Sequence, residues 1–597
     1  MAGTIAGLWT IMGQRRRMYA AAGAALIIAT GFQLAFPWIL RRAIDGLASG
    51  AAWQHYLVWF SIGLLLIATG EALFTYMKGR LAARAAEGSV SELRQRLFRH
   101  LLLLPFASHG RIGTGDLVQR ATTDVQTINR FLGTQVVEIM RTLCLLLGGT
   151  AAMFSLDPAL AFVALGFLPP VFLFALVFFS RLKSRFQKLD EAEARLSSLV
   201  QEQVTGIRVV QAFARESYEL GRFDAANSEL RQRSERFSYL HAMFWPLSDS
   251  LSYLLTATVL AVGGLRVISG AISLGTFVAF DSYTILLLFP VRNLGRLIVE
   301  LGRATVALRR ICEVLAMEPE ELGQAKGPRW TPRSGIELRN VGFAYDDLPV
   351  LRGVSFVIRP GETVAVMGTT GCGKSTLVHL LARFWDNYSG EILFDGKELR
   401  NIPRAEARRR IGLVMQEPFL FSRTLRDNIA FGARDATAKQ IHNAARAAAV
   451  EQTIATFAEG YSTMVDERGM SLSGGQRQRV ALARTLVCDP PVLVLDDTTS
   501  ALDADTEARV WEQLRRRGRQ RMSIVITHRV STAAMADRIL VLEQGRLVQQ
   551  GAPHELIHQP GLFQRLHQLQ NQRQAQLRKE LTHAARSVRG REIRETV

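Results

Sequence analysis

Six apolar stretches of about twenty residues, each the length that crosses the hydrocarbon core of a bilayer, fill the first half of this chain. They lie near 18–40, 57–79, 133–155, 159–181, 248–269 and 273–296. No stretch after residue 335 could span a membrane. The basic Arg15–Arg17 before the first stretch is like the start of a signal peptide. No small-residue cleavage site is obvious and five more spans follow, so the first stretch reads as an uncleaved helix. Basic residues gather before span one, after span two (Lys78, Arg80, Arg84), after span four (Arg181, Lys183, Arg185) and after span six (Arg292, Arg296). The loops after spans one, three and five are short and carry fewer. Both termini are therefore expected in the cytoplasm.

The composition agrees with a chain of two halves. Hydrophobic residues make up 48% and the mean hydropathy is +0.11, too apolar for an ordinary soluble enzyme and too polar for a membrane protein throughout. The net charge of +19 suits nucleic acid or the positive-inside bias equally by its size, but its position beside apolar segments favours the second. Four cysteines, Cys144, Cys312, Cys372 and Cys488, are far apart, with no metal-ligand spacing and no disulfide framework.

Spans two and four are expected to run on past the bilayer as helices for about 25 residues, or ~37 Å. Each then turns, at Gly113–Val125 and near Gly206–Glu216. These turns are expected either to press short helices onto a soluble domain or to be solvated hairpins. Glu71, Glu138, Arg141 and Asp281 fall within or near the spans, where ionisable groups are costly and often mark a pathway. Glu138 and Arg141 are three apart and can neutralise one another on one helix face. Asp281 has no local partner, and reads as a cavity residue or as a satisfied interior acid.

The second half carries the chemistry. Glu318–Gly335 loses periodicity and gathers Pro and Gly, which marks a linker. The boundaries expected are a membrane domain over 1–317, the linker over 318–335, an α/β domain over 336–565 and a basic tail over 566–597. Strands are expected at Ile336–Phe343, Val354–Ile358 and Glu391–Phe394.

Gly368–Thr376 reads GTTGCGKST between an apolar strand (Thr363–Met367) and a helical pattern (Ser375–Arg383). That is the phosphate-loop spacing in the strand–loop–helix context it needs. Gly368, Gly371 and Gly373 let the backbone approach the phosphates; Thr369, Thr370, Cys372 and Thr376 complete the loop. Lys374 reaches the β- and γ-phosphates, and the Ser375 hydroxyl suits Mg²⁺. Cys372, among backbone N–H groups at a helix start, is expected to be the most readily alkylated cysteine. Val492–Asp496 is a buried strand ending in an acid that can hold Mg²⁺ through water. Leu472–Arg479 (LSGGQRQR) sets Ser473, Gly474 and Gly475 at a helix start, an anion-binding end with no phosphate of its own. Gln416 lies in the loop QEPFLF, His528 follows the strand Ser523–Thr527 and suits a γ-phosphate, and Tyr345 suits stacking on adenine.

Tyr345, GTTGCGKST, QEPFLF, LSGGQ, VLVLDD, SALD and ITHR, in that order behind six spans, resemble an ATP-binding cassette exporter half-transporter. The resemblance covers almost the whole chain and leaves out mainly the last thirty or so residues. It implies a membrane α-helical domain of the type I exporter fold joined to an α/β nucleotide-binding cassette. It also implies two chains paired head-to-tail, with two ATP molecules held between the phosphate loop of one and the LSGGQ of the other, Gln476 included. Cassette closure would push the two coupling turns and switch the cavity from inward- to outward-facing. Val465–Gly469 (VDERG) resembles the family's segment that meets those turns. The site implied has Asp497, His528 and Gln416 in catalytic roles and Ser375, Gln416 and Asp496 around Mg²⁺.

One position departs from the family. Hydrolytic members carry Glu after the strand-end acid; this chain carries Asp497, a carboxylate shorter by one methylene, ~1.5 Å, and displacement of that order can cost about a hundredfold in rate. The resemblance narrows to a heterodimer whose chain here holds the weakened site, with its LSGGQ completing the partner's. His528 is retained, so a slow homodimer stays open. The expected function is ATP-driven export of a drug, lipid or peptide across a bacterial inner membrane, with membrane lipid as surroundings and no nucleic-acid partner. An ATP-gated channel and a soluble cassette ATPase are the other readings; the six spans argue against the second. The Gln- and Arg-rich tail after Phe563 reads as a cytoplasmic helix or as frayed chain.

Overall fold

In the first half, long apolar runs produce helices, three of which continue through an internal proline (Pro37, Pro246 and Pro290), and polar residues near their ends tie helices together. The protein is described by a computed structural model covering residues 9, 11–48, 53–323, 333–433, 435–498, 502–516, 521–570 and 572. The middle of the linker, Ser500 and Ala501 of SALD, and nearly all of the basic tail lie outside the described residues. The chain divides into two compact units, Met1–Leu104 with Ile112–Pro319, and Pro105–Arg111 with Glu320–Val597.

The first unit has, among the described residues, six helical segments long and apolar enough to cross a membrane: Arg16–Ala48, Val58–Leu103, Thr114–Leu156, Pro158–Thr205, Glu216–Ile268 and Leu274–Leu315. Each covers one of the six expected stretches to within a residue at the ends. Their principal helices are α1 (Arg16–Ala48), α2 (Trp53–Leu103), α3 (Val136–Leu156), α4 (Pro158–Gly166), α5 (Leu168–Thr205), α6 (Glu216–Ile268) and α7 (Leu274–Leu315). Polar links tie their ends. Asp157 caps α4 through the Leu160 N–H at 2.7 Å and takes the Arg266 guanidinium of α6 at 2.7 Å. Asp45 of α1 accepts the Gly275 N–H at 2.9 Å and the Ser273 hydroxyl at 2.8 Å, at the start of α7. Buried side chains cluster around Leu145, Met153, Leu255, Phe280 and Leu287.

As expected, α2 and α5 continue unbroken far beyond their apolar stretches. The second turn falls where the sequence placed it, with a short helix at Ile207–Ala212 between Gly206 and the left-handed Ala214. The first turn does not. Pro105 interrupts the chain earlier and a short helix spans Phe106–Arg111, while Gly113 already precedes the helix Thr114–Gln119. The glycines of GTGD initiate a helix there and do not make the reversal. Phe106 groups with the second unit, where its ring stacks on Phe384 at 5.1 Å and leans on His379 and Trp385.

The ionisable residues of the spans separate by environment. Arg141 and Glu138 pair at 3.4 Å, as their spacing suggested. Glu71 lines a cavity of ≈ 580 Å³ with Gln33, Phe36, Ile67, Ser282 and Ile285. Asp281 is half-buried, and its Oδ1 has no hydrogen-bond partner among the described residues.

The second unit is built on two sheets. An antiparallel sheet has strand order β2-β1-β4-β5, with β1 (Ile336–Tyr345), β2 (Leu348–Ile358), β4 (Ser389–Phe394) and β5 (Lys397–Glu398). The larger has order β10-β9-β3-β8-β7-β6, with β3 (Thr363–Gly368), β6 (Ile411–Val414), β7 (Val492–Asp496), β8 (Met522–Ile526), β9 (Arg538–Glu543) and β10 (Arg546–Gly551). Strands β6, β7, β8, β3 and β9 run parallel. Their near-continuous Val, Ile and Leu content is what a sheet covered on both faces demands. A separate, mainly helical cluster around Leu425, Ile441, Val480 and Leu486 packs beside β6 and β7.

Candidate functional site

Parallel strands deliver their carboxyl ends to one edge of a sheet, and ligands of open α/β sheets bind there. In this register Val366 of β3 pairs with Ile526 of β8, and Ile526 pairs with Asp496 of β7; Val414 of β6 pairs with Leu495. The phosphate loop, His528, Asp496–Asp497 and Gln416 therefore emerge side by side from four adjacent strands, although 160 residues of sequence separate the ends of the set. Sequence order alone concealed that proximity.

The loop itself is shaped by its glycines. Gly368 has φ +152°, and a Cβ there would lie 2.1 Å from the Leu542 carbonyl of β9. Gly373, at φ +101°, caps α8 (Lys374–Leu381). Lys374 is buried and its ammonium donates to the Gly368 and Thr369 carbonyls at 3.1 and 2.8 Å, which arches its side chain over the loop. Cys372 is only 3% exposed and belongs to the core packed under the loop, whereas Cys312 and Cys488 are exposed. This overturns the expectation that Cys372 is the most readily alkylated thiol. The loop presents its backbone outward and turns this side chain inward.

The Ser375 hydroxyl lies near Asp496 and favours its carboxylate form. Burial pushes the Asp496 carboxyl above its usual range, opposed by the Ser375 hydroxyl and by His379 and Lys374, while Asp497 raises it further. Burial, joined by Lys374, holds the His528 imidazole below 6.5, against the pull of Asp497 and Asp496. His528 is thus neutral near pH 7 and electrostatically coupled to the loop lysine and both acids. Asp497 is half-buried in the left-handed region at φ 46°, with its N–H on the Ile526 carbonyl at 3.0 Å. Few non-glycine residues adopt that conformation, and Asp is among the tolerant ones. Gln416 is exposed just after β6.

Tyr345 ends β1 with its hydroxyl 3.3 Å from the Thr376 hydroxyl and its ring edge-on to Trp385 at 5.3 Å. It stands against the phosphate-loop helix as one wall of the site. Ser473 caps α9 (Gly474–Leu486) in a capping box: its Oγ accepts the Gln476 N–H at 3.3 Å, and its N–H donates to Gln476 Oε1 at 2.8 Å. The Gln476 side chain thus holds its own helix start. Ser473 and Gly474 face solvent, and α9 packs in the helical cluster apart from the core under the phosphate loop. The loop, Asp496, Asp497 and His528 come together within one chain; among the described residues, Ser473–Gln476 shares no hydrogen bond with them.

Two neighbours escaped the sequence reading. His379, on α8, is coupled to Asp496, and burial lowers its pKa. Its place one turn after Ser375 was the available signal. Gln570 lies in the glutamine-rich stretch taken for a tail, which offered none.

A phosphate loop on a parallel sheet, a buried strand-end acid and a helical cluster presenting LSGGQ, joined in one chain to six membrane-crossing helices, define an ATP-driven membrane transporter. The family models match in the same two places: ABC transporter transmembrane region over residues 19–291, and ABC transporter over residues 351–500. An ATP-dependent lipid A-core flippase of Syntrophus aciditrophicus (strain SB) is 33% identical, over 92% of each chain. A multidrug efflux ATP-binding/permease protein of Mycobacterium bovis (strain BCG / Pasteur 1173P2) is 36% identical over 92% of this chain and 46% of its own length. A bacterial Atm1-family ABC exporter solved with ATP bound superposes with a TM-score of 0.79 at 27% identity, covering 93% of this chain and 99% of that one. The chain belongs to the ABC transporters, and within them to the exporters; it is an ATPase coupled to transmembrane transport.

Proposed function

We propose that this chain is one half of a dimeric exporter that moves a hydrophobic or amphipathic substrate out across a bacterial cytoplasmic membrane by alternating access, and that its own ATP site is the weakened one of a heterodimer. Asp497 carries the reading: the group that would polarise the attacking water is a carboxylate one methylene short, in a chain whose LSGGQ is complete. Lys374, the loop backbone and Tyr345 bind ATP. His528 contacts the γ-phosphate. Ser375 and Asp496, which interact with one another, bring two hard oxygen donors to the loop, which is the donor chemistry Mg²⁺ takes, and the Gln416 amide oxygen would add a third. When bound, Mg²⁺ neutralises phosphate charge. Ser473, Gly474 and Gly475 cover the partner's nucleotide.

The Mycobacterium relative, which this chain matches over less than half its length, is long enough to hold a second half beside the matched one, which supports an arrangement of two halves. Basic residues flanking alternate spans support cytoplasmic termini. The competing reading is a homodimer in which Asp497 works as the base, favoured by the retained His528. The test is transport by the purified transporter in proteoliposomes. ATP-dependent accumulation of a fluorescent amphiphile, lost in Lys374→Ala, is expected; accumulation unchanged by that substitution would reject the reading, and an ion current without accumulation would mean a channel.

A further inference from the structure

The loop that carries His528 has a gap in its own hydrogen bonding. Thr527 N–H reaches the Val366 carbonyl of β3 at 3.2 Å, and Arg529 N–H turns back to the Thr527 hydroxyl at 3.0 Å. Immediately afterwards the short helix Val530–Ala533 begins, with Arg529 at its N-cap position and no side-chain cap from that residue. An arginine has only donors, so it cannot accept a helix-starting N–H. The His528 carbonyl and the Val530 N–H, on either side of Arg529, thus need a partner from elsewhere in the chain.

Gln570 supplies both. Its Nε2 donates to the His528 carbonyl at 2.8 Å, and its Oε1 accepts the Val530 N–H at 2.9 Å. A primary amide has one donor end and one acceptor end, so a single glutamine side chain satisfies this pair in one orientation only. The helix that carries it, whose described part runs 562–570, is fixed in place. Phe563, seven residues earlier and so on the same face, is fully buried with Val530, Ala533 and Leu556, and Leu562 and Leu566 pack on that cluster. The Phe563 N–H is held by Gln549 of β10 at 3.2 Å. On the other side, Arg529 pairs with the buried Glu507 at 3.1 Å, and Thr532 donates to the same carboxylate at 2.6 Å. The histidine loop is pinned between two elements, and the two backbone groups that flank Arg529, the His528 carbonyl and the Val530 N–H, are both held by Gln570.

We propose that Gln570 is a positioning residue for nucleotide recognition: by clamping the backbone on both sides of Arg529 it aims the His528 imidazole at the γ-phosphate held by the phosphate loop. The inference rests on the reading of His528 as a γ-phosphate contact. It gives the end of the cassette a share in telling ATP from ADP, since ADP lacks the phosphate that His528 reads. Gln570 itself touches no nucleotide and acts through the loop.

The test compares the affinities of this chain's own site for ATPγS and ADP, in the purified full-length transporter, by competition against photolabelling with azido-ADP and mapping of the label to this chain. Gln570→Met keeps the length and removes both hydrogen bonds. It is expected to lower the preference for ATPγS over ADP about five- to tenfold, the worth of a lost hydrogen-bonded arrangement, with ADP affinity unchanged. His528→Ala is expected to do the same, and the double variant no more than His528→Ala alone. Equal losses of ATPγS and ADP binding in Gln570→Met would make Gln570 a general packing residue and overturn the inference. So would a further loss of preference on adding Gln570→Met to His528→Ala. No change in preference in His528→Ala would remove the reading on which the inference stands, and that outcome is distinct because it is seen before Gln570 is altered.

Discussion

Asp497 shows how much one methylene can decide. Its backbone lies at φ 46° and its N–H is fixed to β8, so the carboxylate cannot advance by a shift of the chain. Asp497→Glu is expected to raise ATP turnover of the purified chain by up to about a hundredfold, read as phosphate release, if length is the defect. Glu suits the left-handed region less than Asp, so a modest fall in Tm should accompany the gain. Unchanged or lower turnover would count against the weakened-site reading. The thiols give a second residue-scale prediction. Cys372 is buried while Cys312 and Cys488 are exposed, so maleimide should modify Cys312 and Cys488 before Cys372, with MgATP making no difference to Cys488; mass spectrometry of the labelled peptides checks this. A histidine gives a third. Burial lowers His379 below its ordinary value of 6.5. Below that pH the unfolded chain binds more protons than the folded one, so stability is kept above about 6.5 and falls as pH drops through it. Thermal unfolding should come earlier at about pH 5.5 than at about pH 7.5, and His379→Gln should narrow the difference.

Among the elements, the membrane helices sort their charged residues by what lies opposite. Glu138 and Arg141 answer one another within α3 and need no ligand. Glu71 of α2 instead faces a cavity shared with Gln33 of α1 and Ser282 of α7. A carboxylate there favours a cationic amphiphile over a neutral one, so Glu71→Gln should reduce transport of a cationic dye about fivefold, a difference of ~1 kcal/mol, and spare a neutral one. Asp281→Asn serves as the comparison. Its neighbour Ser282 lines the cavity and Asp281 does not, so it is expected to alter protein yield more than selectivity. Equal loss of both dyes in Glu71→Gln would mean that Glu71 is a structural acid.

At the scale of the assembly, the separation of Ser473 from the phosphate loop within one chain is the informative fact. A helix start that faces solvent is a ready site for an anion from outside, and a second chain would bring one. In a heterodimer with the weakened site here, Asp497→Asn should change turnover of the pair by less than about twofold, while Ser473→Arg should nearly stop it by blocking the site on the partner's loop. The chain alone should be a poor ATPase. Brisk hydrolysis by the chain alone, silenced by Asp497→Asn, would establish a homodimer with Asp497 as its base.

Much of this was legible in the residues, for reasons of range. Spans, helix extensions and the phosphate loop depend on neighbours within one or two turns, and runs of Leu and Phe or the spacing GTTGCGKST state them directly. The Glu138–Arg141 pair is legible for the same reason. What the sequence could not state depends on contacts across hundreds of residues. Pro105, not the GTGD glycines, ends the first long helix, because two glycines start a helix as readily as they break one. Cys372 packs with core residues contributed by distant strands, among them Leu351, Val366 and Leu542. Glu71 meets Gln33 and Ser282 only when three helices converge. Gln570, in a glutamine-rich stretch that reads as solvated tail, becomes the grip on His528 because Phe563 anchors its helix beside the sheet edge. Local pattern determined which chemistry this chain carries; the packing of distant segments decided which side chains hold that chemistry in place.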